Sequence, residues 1–333
     1  MFLPHIAALL VGCSLKLGPL YVPAAHHPPD ALAEIFGSAE PEEVFYEAIE
    51  RRQAGDTEGA LHRLVWLRNQ GDTSPVLLYQ IGVTYEAEED FEMALRAYDL
   101  LLSESQDPSI VRDAGFRRAQ VLEELERYLD ALRQLRRIRP PKEGFDEKDR
   151  LTFDIETACV RLMLRRRFAR PHLETLLESG RGNEEVAYIR AKGWSDIIRV
   201  ELENSSAQRI EGSSTKLMAI TEKRAATILE AETLLDEELV PLRQPRWTLI
   251  AFLALGDAYT ALARDIQAAA PPKKLTPEQD QIYTEMVDEQ ALVLTRRAWA
   301  RYDSALTYAG TLGLESQVTR ILEERLETTA SPP

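Results

Sequence analysis

The sequence predicts an all-α fold built from antiparallel helix pairs, and three observations predict it. Leu, Ala, Glu and Arg dominate the 333 residues, whereas β-branched and aromatic residues are comparatively sparse. Wherever the apolar pattern is clear, it has the period of a helix. A unit at Leu78–Leu101 reappears 34 residues upstream and 37 residues downstream, and self-similarity at that period marks arrays of helical repeats.

The chain opens on a short apolar run at residues 2 to 12, Phe-Leu-Pro-His-Ile-Ala-Ala-Leu-Leu-Val-Gly, too short for a permanent membrane span. Residues 1–12 therefore read as a signal segment. Leu10-Val11-Gly12-Cys13-Ser14 resembles the lipobox of bacterial lipoproteins, which implies lipidation of Cys13 and an address at the periplasmic face of the outer membrane. No Lys or Arg precedes the run, and Pro4 and His5 interrupt it, so a docked apolar N-terminus on a cytoplasmic protein stays open as the alternative. Residues 13–40 carry that cysteine and a tether in which Pro19, Pro23, Pro28 and Pro29 resist helix formation. His26 and His27 supply two ring nitrogens, an incomplete metal site on such a segment.

Residues 41–141 hold three helix pairs. The clearest has Leu78, Ile81, Gly82 and Tyr85 on its first helix, then Glu89-Asp90-Phe91, then Ala94, Tyr98 and Leu101 on its second. The upstream copy places Ala48, Gly55-Asp56, Ala60 and Leu64 on Gly82, the turn, Ala94 and Tyr98. It carries Glu47 and Arg51 at places that are apolar in the central copy, as suits a terminal repeat with a wetter face. The downstream copy places Ala119, Leu122, Tyr128, Ala131 and Leu135 on Gly82, Tyr85, Phe91, Ala94 and Tyr98.

Residues 142–240 remain helical in pattern without that spacing. Leu151, Ile155, Ala158 and Leu162 make one apolar face, and Leu217, Ile220, Ile228, Leu235 and Leu239 contribute to another. Loops are expected at Gly180-Arg181-Gly182-Asn183 and from Asn204-Ser205-Ser206 to Gly212-Ser213-Ser214. Residues 241–328 carry a split copy, with Phe252, Leu255, Gly256 and Tyr259 on one helix and Ala298, Tyr302 and Ala305 on the other. Thr276-Pro277-Glu278-Gln279 should start the second helix after Pro271-Pro272. Sharing the extra residues between both helices predicts a hairpin projecting roughly 20 Å. Residues 329–333 form a tail.

These spacings resemble the tetratricopeptide repeat, strictly over residues 42 to 141 and, interrupted, over 247 to 309. The resemblance implies an α-solenoid with small residues at Gly82 and Ala94, where paired helices approach most closely. It also implies that first helices line a concave groove for a protein or peptide partner. In register, the groove residues are Phe45, Ile49 and Arg52, then Tyr79, Val83 and Glu86, then Phe116, Gln120 and Glu123. More loosely, Leu255-Gly256-x2-Tyr259, Pro271-Pro272, Tyr283 and Ala298-x3-Tyr302 look like tetratricopeptide proteins encoded with the gliding-motility machinery of myxobacteria.

A formal charge of −15 disfavours general nucleic-acid binding, since phosphates repel such a field. Cys13 and Cys159 lie far apart with no CxxC or Cys/His cluster, and no common catalytic or nucleotide motif is present. A non-enzymatic chain without cofactor or metal is expected, with a carboxylate enzyme as the remote alternative. Against the acidic background, residues 133 to 170 contain twelve Lys or Arg and six Asp or Glu. Arg136, Arg137, Arg139, Arg161, Arg165, Arg166, Arg167 and Arg170 make this a basic patch, either a dock for an acidic partner or anionic lipid, or paired with neighbouring acidic helices.

Overall fold

A computed structural model describes residues 40–138, 146–211, 214–272, 275–314 and 316–329. Among them are thirteen α-helices, one short π segment, two 3-10 turns and no strand, so the all-α expectation holds. The chain divides into two compact units, Met1–Gly144 and Phe145–Pro333.

The first unit contains α1 (Pro41–Gln53), α2 (Thr57–Asn69), α3 (Pro75–Ala87), α4 (Phe91–Glu104), α5 (Pro108–Glu124) and α6 (Tyr128–Arg137), each packed on its neighbours in sequence. Local chemistry sets the starts. Pro41, Pro75 and Pro108 occupy first helical positions, where a missing N–H costs nothing. The Asp56, Ser74, Asp90 and Asp107 side chains accept hydrogen bonds from free amides of the first turns.

The turns within pairs repeat atom for atom. Gly55, Glu89 and Glu126 all have positive φ, at the 34- and 37-residue spacings of the sequence repeat. In each, the left-handed residue donates its amide to the carbonyl three residues back: Arg52, Glu86 and Glu123 respectively. The next amide reaches five back, to Arg51, Tyr85 and Leu122, which ties off carbonyls the helix end leaves open. Ala48, Ala60, Ala94, Ala119 and Ala131, the expected small positions, are fully buried.

The second unit contains α7 (Glu147–Met163), α8 (Ala169–Ser179), α9 (Ala187–Ser206), α10 (Ser214–Leu234), α11 (Pro245–Gln267), α12 (Pro277–Thr311) and α13 (Gln317–Thr328). One hydrophobic core runs from Ile155 to Leu322, so the divergent and C-terminal segments share an interior. Helix α9 is its axis, packed against α7, α8, α10 and α11, and every residue from Ile189 to Ile198 is buried. Ile155, Ala158, Leu162, Ile228, Leu235 and Leu239 point inward as expected, and Cys159 is a buried thiol outside any disulfide.

One expectation is corrected and another refined. Asn204–Ser206 is not loop but the last turn of α9, continued by helical hydrogen bonding from the Ala207 amide to the Glu203 carbonyl; Gly212 and Ser213 lie outside the described residues. The projecting hairpin is shared between two lengthened helices, but unequally: α11 has 23 residues and α12 has 35, against 13 and 14 in the α3–α4 pair. Gln267 ends α11, whereas α12 runs from Pro277 and buries nothing before Ala291. Most of the extra residues are in α12, whose start is fixed by the capping box that Thr276 and Gln279 close around Pro277.

Candidate functional site

The nine groove residues occupy matching positions on α1, α3 and α5, but the structure does not present them alike. Tyr79, Val83 and Glu86, the central three, are buried and do not line an open face; Tyr79 is 5% exposed. Its hydroxyl accepts a hydrogen bond from Arg117 Nε at 2.7 Å, and that guanidinium also lies 5.6 Å from the ring centroid. Tyr98 stands edge-on with centroids 6.2 Å apart, and its hydroxyl donates to Glu86 Oε1 at 2.6 Å. Arg117 faces the same carboxylate oxygen at 3.5 Å. Burial pushes the pKa values of Tyr79 and Tyr98 up, so both are neutral hydrogen-bonding groups. Phe45, Ile49, Arg52, Phe116 and Gln120 are half-buried, while Glu123 is buried.

The basic residues fall into two groups. Arg136 and Arg137 are exposed on the last turn of α6 in the first unit, and Arg139 lies outside the described residues. Arg161, Arg165, Arg166, Arg167 and Arg170 belong to the second unit, between the end of α7 and the start of α8. Arg165 pairs with Glu203 at 2.8 Å, and Arg170 pairs with Glu174, Glu201 and Glu230. Internal pairing thus describes part of the patch. Arg166 and Arg167 are exposed and make no ion pair among the described residues.

Two features escaped the sequence. A buried charge network joins α7 and α9: Lys192 Nζ lies 3.4 Å from Glu156 and 3.1 Å from Asp196, which also accepts from Arg199 at 3.0 Å. Burial pushes the Asp196 pKa up, but Lys192 and Arg199 outweigh it and hold the carboxyl below its usual range. All three members other than Arg199 are closed off from solvent, so the network ties helices together and offers nothing to a substrate. The second feature is on α12, where Ile282, Met286 and Val293 are exposed on one helix face. Their four- and seven-residue spacing was the available signal.

Cys13, the signal and tether segments, His26 and His27 lie outside the described residues. Among those described, no helix is long and apolar enough to cross a membrane, and no group of three or more His, Cys, Asp or Glu is placed to hold a metal ion. No protein-family model, curated protein or solved structure matches the chain.

Proposed function

We propose that the chain is a non-enzymatic scaffold: a tetratricopeptide-like helical array that binds a protein or peptide partner within a cell-envelope assembly, anchored through a lipidated Cys13. The carrying observation is the recurrence of one helix-pair design. The left-handed turn repeats at Gly55, Glu89 and Glu126, and a glycine meets a tyrosine ring across two pairs, Gly82 with Tyr98 and Gly256 with Tyr302. Repeated frames of this kind carry function on variable surface residues. In this reading Phe45, Ile49, Arg52, Phe116 and Gln120 contact the partner, and Tyr79, Val83, Glu86 and Glu123 support them from beneath. The motility machinery is the setting to which the C-terminal resemblance points.

The test uses the chain from Cys13 onward as bait in native envelope extract, beside a Phe116→Ala bait. A specific partner retained by the first and lost by the second supports the scaffold. Equal capture by both removes the contact set. Metabolic lipid labelling that survives Cys13→Ser, or is absent from the unaltered protein, removes the anchor.

A further inference from the structure

The turn between α7 and α8 begins like the three repeat turns of the first unit. Arg165 has positive φ, its amide donates to the Leu162 carbonyl, and the Arg166 amide reaches back five residues to Arg161. It then departs. In the earlier pairs one residue, Asp56, Asp90 or Arg127, separates the left-handed position from the next helix. Here Arg166, Arg167 and Phe168 intervene before Ala169 starts α8, and Phe168 is itself left-handed, at φ 62°. A bulky aromatic seldom adopts that conformation, and such outliers cluster at functional sites.

What the turn presents is an aromatic ring between unpaired cations. Phe168 is 66% exposed, more than any other large hydrophobic side chain among the described residues. The Arg167 guanidinium lies 4.6 Å from its ring centroid, and Arg166 and Arg167 have no ion-pair partner among the described residues. The flanking acids are already occupied. Arg165 engages Glu203 and the Val200 carbonyl, and Arg170 engages Glu174, Glu201 and Glu230.

We propose that Arg166-Arg167-Phe168 is a membrane-contact tip, with the Phe168 ring seated among the headgroups of an anionic phospholipid surface and the two guanidinium groups on lipid phosphates. The proposal rests on the reading that the chain works at a membrane, but not on acylation of Cys13. A ring at the apex of a turn has no pocket of its own for a peptide, whereas a fluid interface closes around any protruding side chain. Arginine stacked on the ring keeps cation and ring at one depth, the level of the phosphates. The chain's charge of −15 would repel the same surface at long range. Screening limits that repulsion to about 10 Å at 0.1 M salt, so the nearest charges decide the encounter and the molecule orients with this turn forward.

The experiment is co-sedimentation of the full chain carrying Cys13→Ser with phosphatidylcholine vesicles, with and without phosphatidylglycerol. Binding should require phosphatidylglycerol and weaken with salt. Arg166→Glu with Arg167→Glu should lower it about tenfold or more, and Phe168→Ala several-fold, with circular dichroism unchanged. Absence of binding to phosphatidylglycerol vesicles, or binding indifferent to the charge reversal, overturns the proposal. Binding that needs the arginines but survives Phe168→Ala overturns insertion of the ring. Vesicle-independent capture of a polyglutamate peptide, lost on charge reversal, assigns the turn to an acidic protein partner instead. Lipid labelling at Cys13 is read separately, so the two can fail independently.

Discussion

Gly82 and Tyr98 meet across the α3–α4 pair so closely that a Cβ at Gly82 would lie 2.6 Å from Tyr98 Cε1 and 2.8 Å from Cζ. The ring cannot swing aside freely, because its hydroxyl is held by Glu86 and its edge by Tyr79. Ala48 and Ala119 hold the same repeat position in the neighbouring pairs, so the repeat pattern alone predicts that Gly82→Ala is tolerated. The geometry reverses that expectation. Gly82→Ala should destabilise by about 1 to 3 kcal/mol through overpacking, comparable to Ala94→Leu at the other fully buried small position. Thermal melts of both variants check it; an unchanged midpoint for Gly82→Ala would show that the ring relaxes at no cost.

Tyr79 and Phe116 hold matching register positions yet differ in surroundings. Tyr79→Ala removes a buried ring together with its hydrogen bond from Arg117 and its edge contact with Tyr98, so a loss of about 3 to 5 kcal/mol is expected in urea denaturation. Phe116 is half-buried, and Phe116→Ala should cost less than half as much. Equal losses would mean that the two rings share one environment.

How much of this was legible in the sequence depends on what each residue's neighbours decide. Helix starts were readable because proline and its capping residue act within one turn: Thr276 and Gln279 bond as their spacing implied. The small positions were readable because a repeat copies its closest contacts. Period alone does not say whether Tyr79 meets solvent or Arg117, which arrives from 38 residues away. The unequal lengths of α11 and α12 are a related case. The capping box puts the start of α12 in the sequence, but no such signal marks Gln267 as the last residue of α11. Buried Glu156, Lys192 and Asp196 resemble surface charge in any composition, and only the crowding of α9 on four sides puts them inside.

That crowding makes Lys192 sensitive to substitution. Lys192→Met keeps the volume and removes the cation facing Glu156 and Asp196, leaving two buried carboxylates with Arg199 alone. A loss of about 3 to 5 kcal/mol is expected near neutral pH. Asp196 has a depressed folded pKa, so its contribution is present above the unfolded value near 4 and disappears as pH falls. The gap between variant and unaltered protein should therefore narrow toward acid, as Asp196 takes up its proton. Guanidinium titrations at neutral and acidic pH measure it, and a gap constant with pH would show that Asp196 is not ionised in the folded state.

Tyr85 gives the opposite sign at the alkaline end. Its hydroxyl is buried and makes no hydrogen bond among the described residues. Burial, with Asp90 and Glu88 nearby, pushes its pKa up to about 12. An unfolded tyrosine ionises near 10, so between pH 10 and 12 the unfolded chain releases a proton that the folded chain keeps. Stability attributable to this group is complete below pH 10 and is lost as pH rises toward 12, by about 1 to 2 kcal/mol. Tyr85→Phe removes both the titration and the unbonded hydroxyl. At pH 7 the variant should match the unaltered protein or exceed it by a few tenths of a kcal/mol, since no partner is abandoned. Above pH 10 its advantage should grow. Taking the difference between the two proteins cancels the alkaline response of Tyr79, Tyr98 and Tyr302, whose pKa values are also raised. Urea midpoints at neutral pH and at several points above pH 10 provide the measurement. Parallel decline of the two proteins would place the Tyr85 hydroxyl in water, and a marked loss for Tyr85→Phe at pH 7 would give it a hydrogen bond.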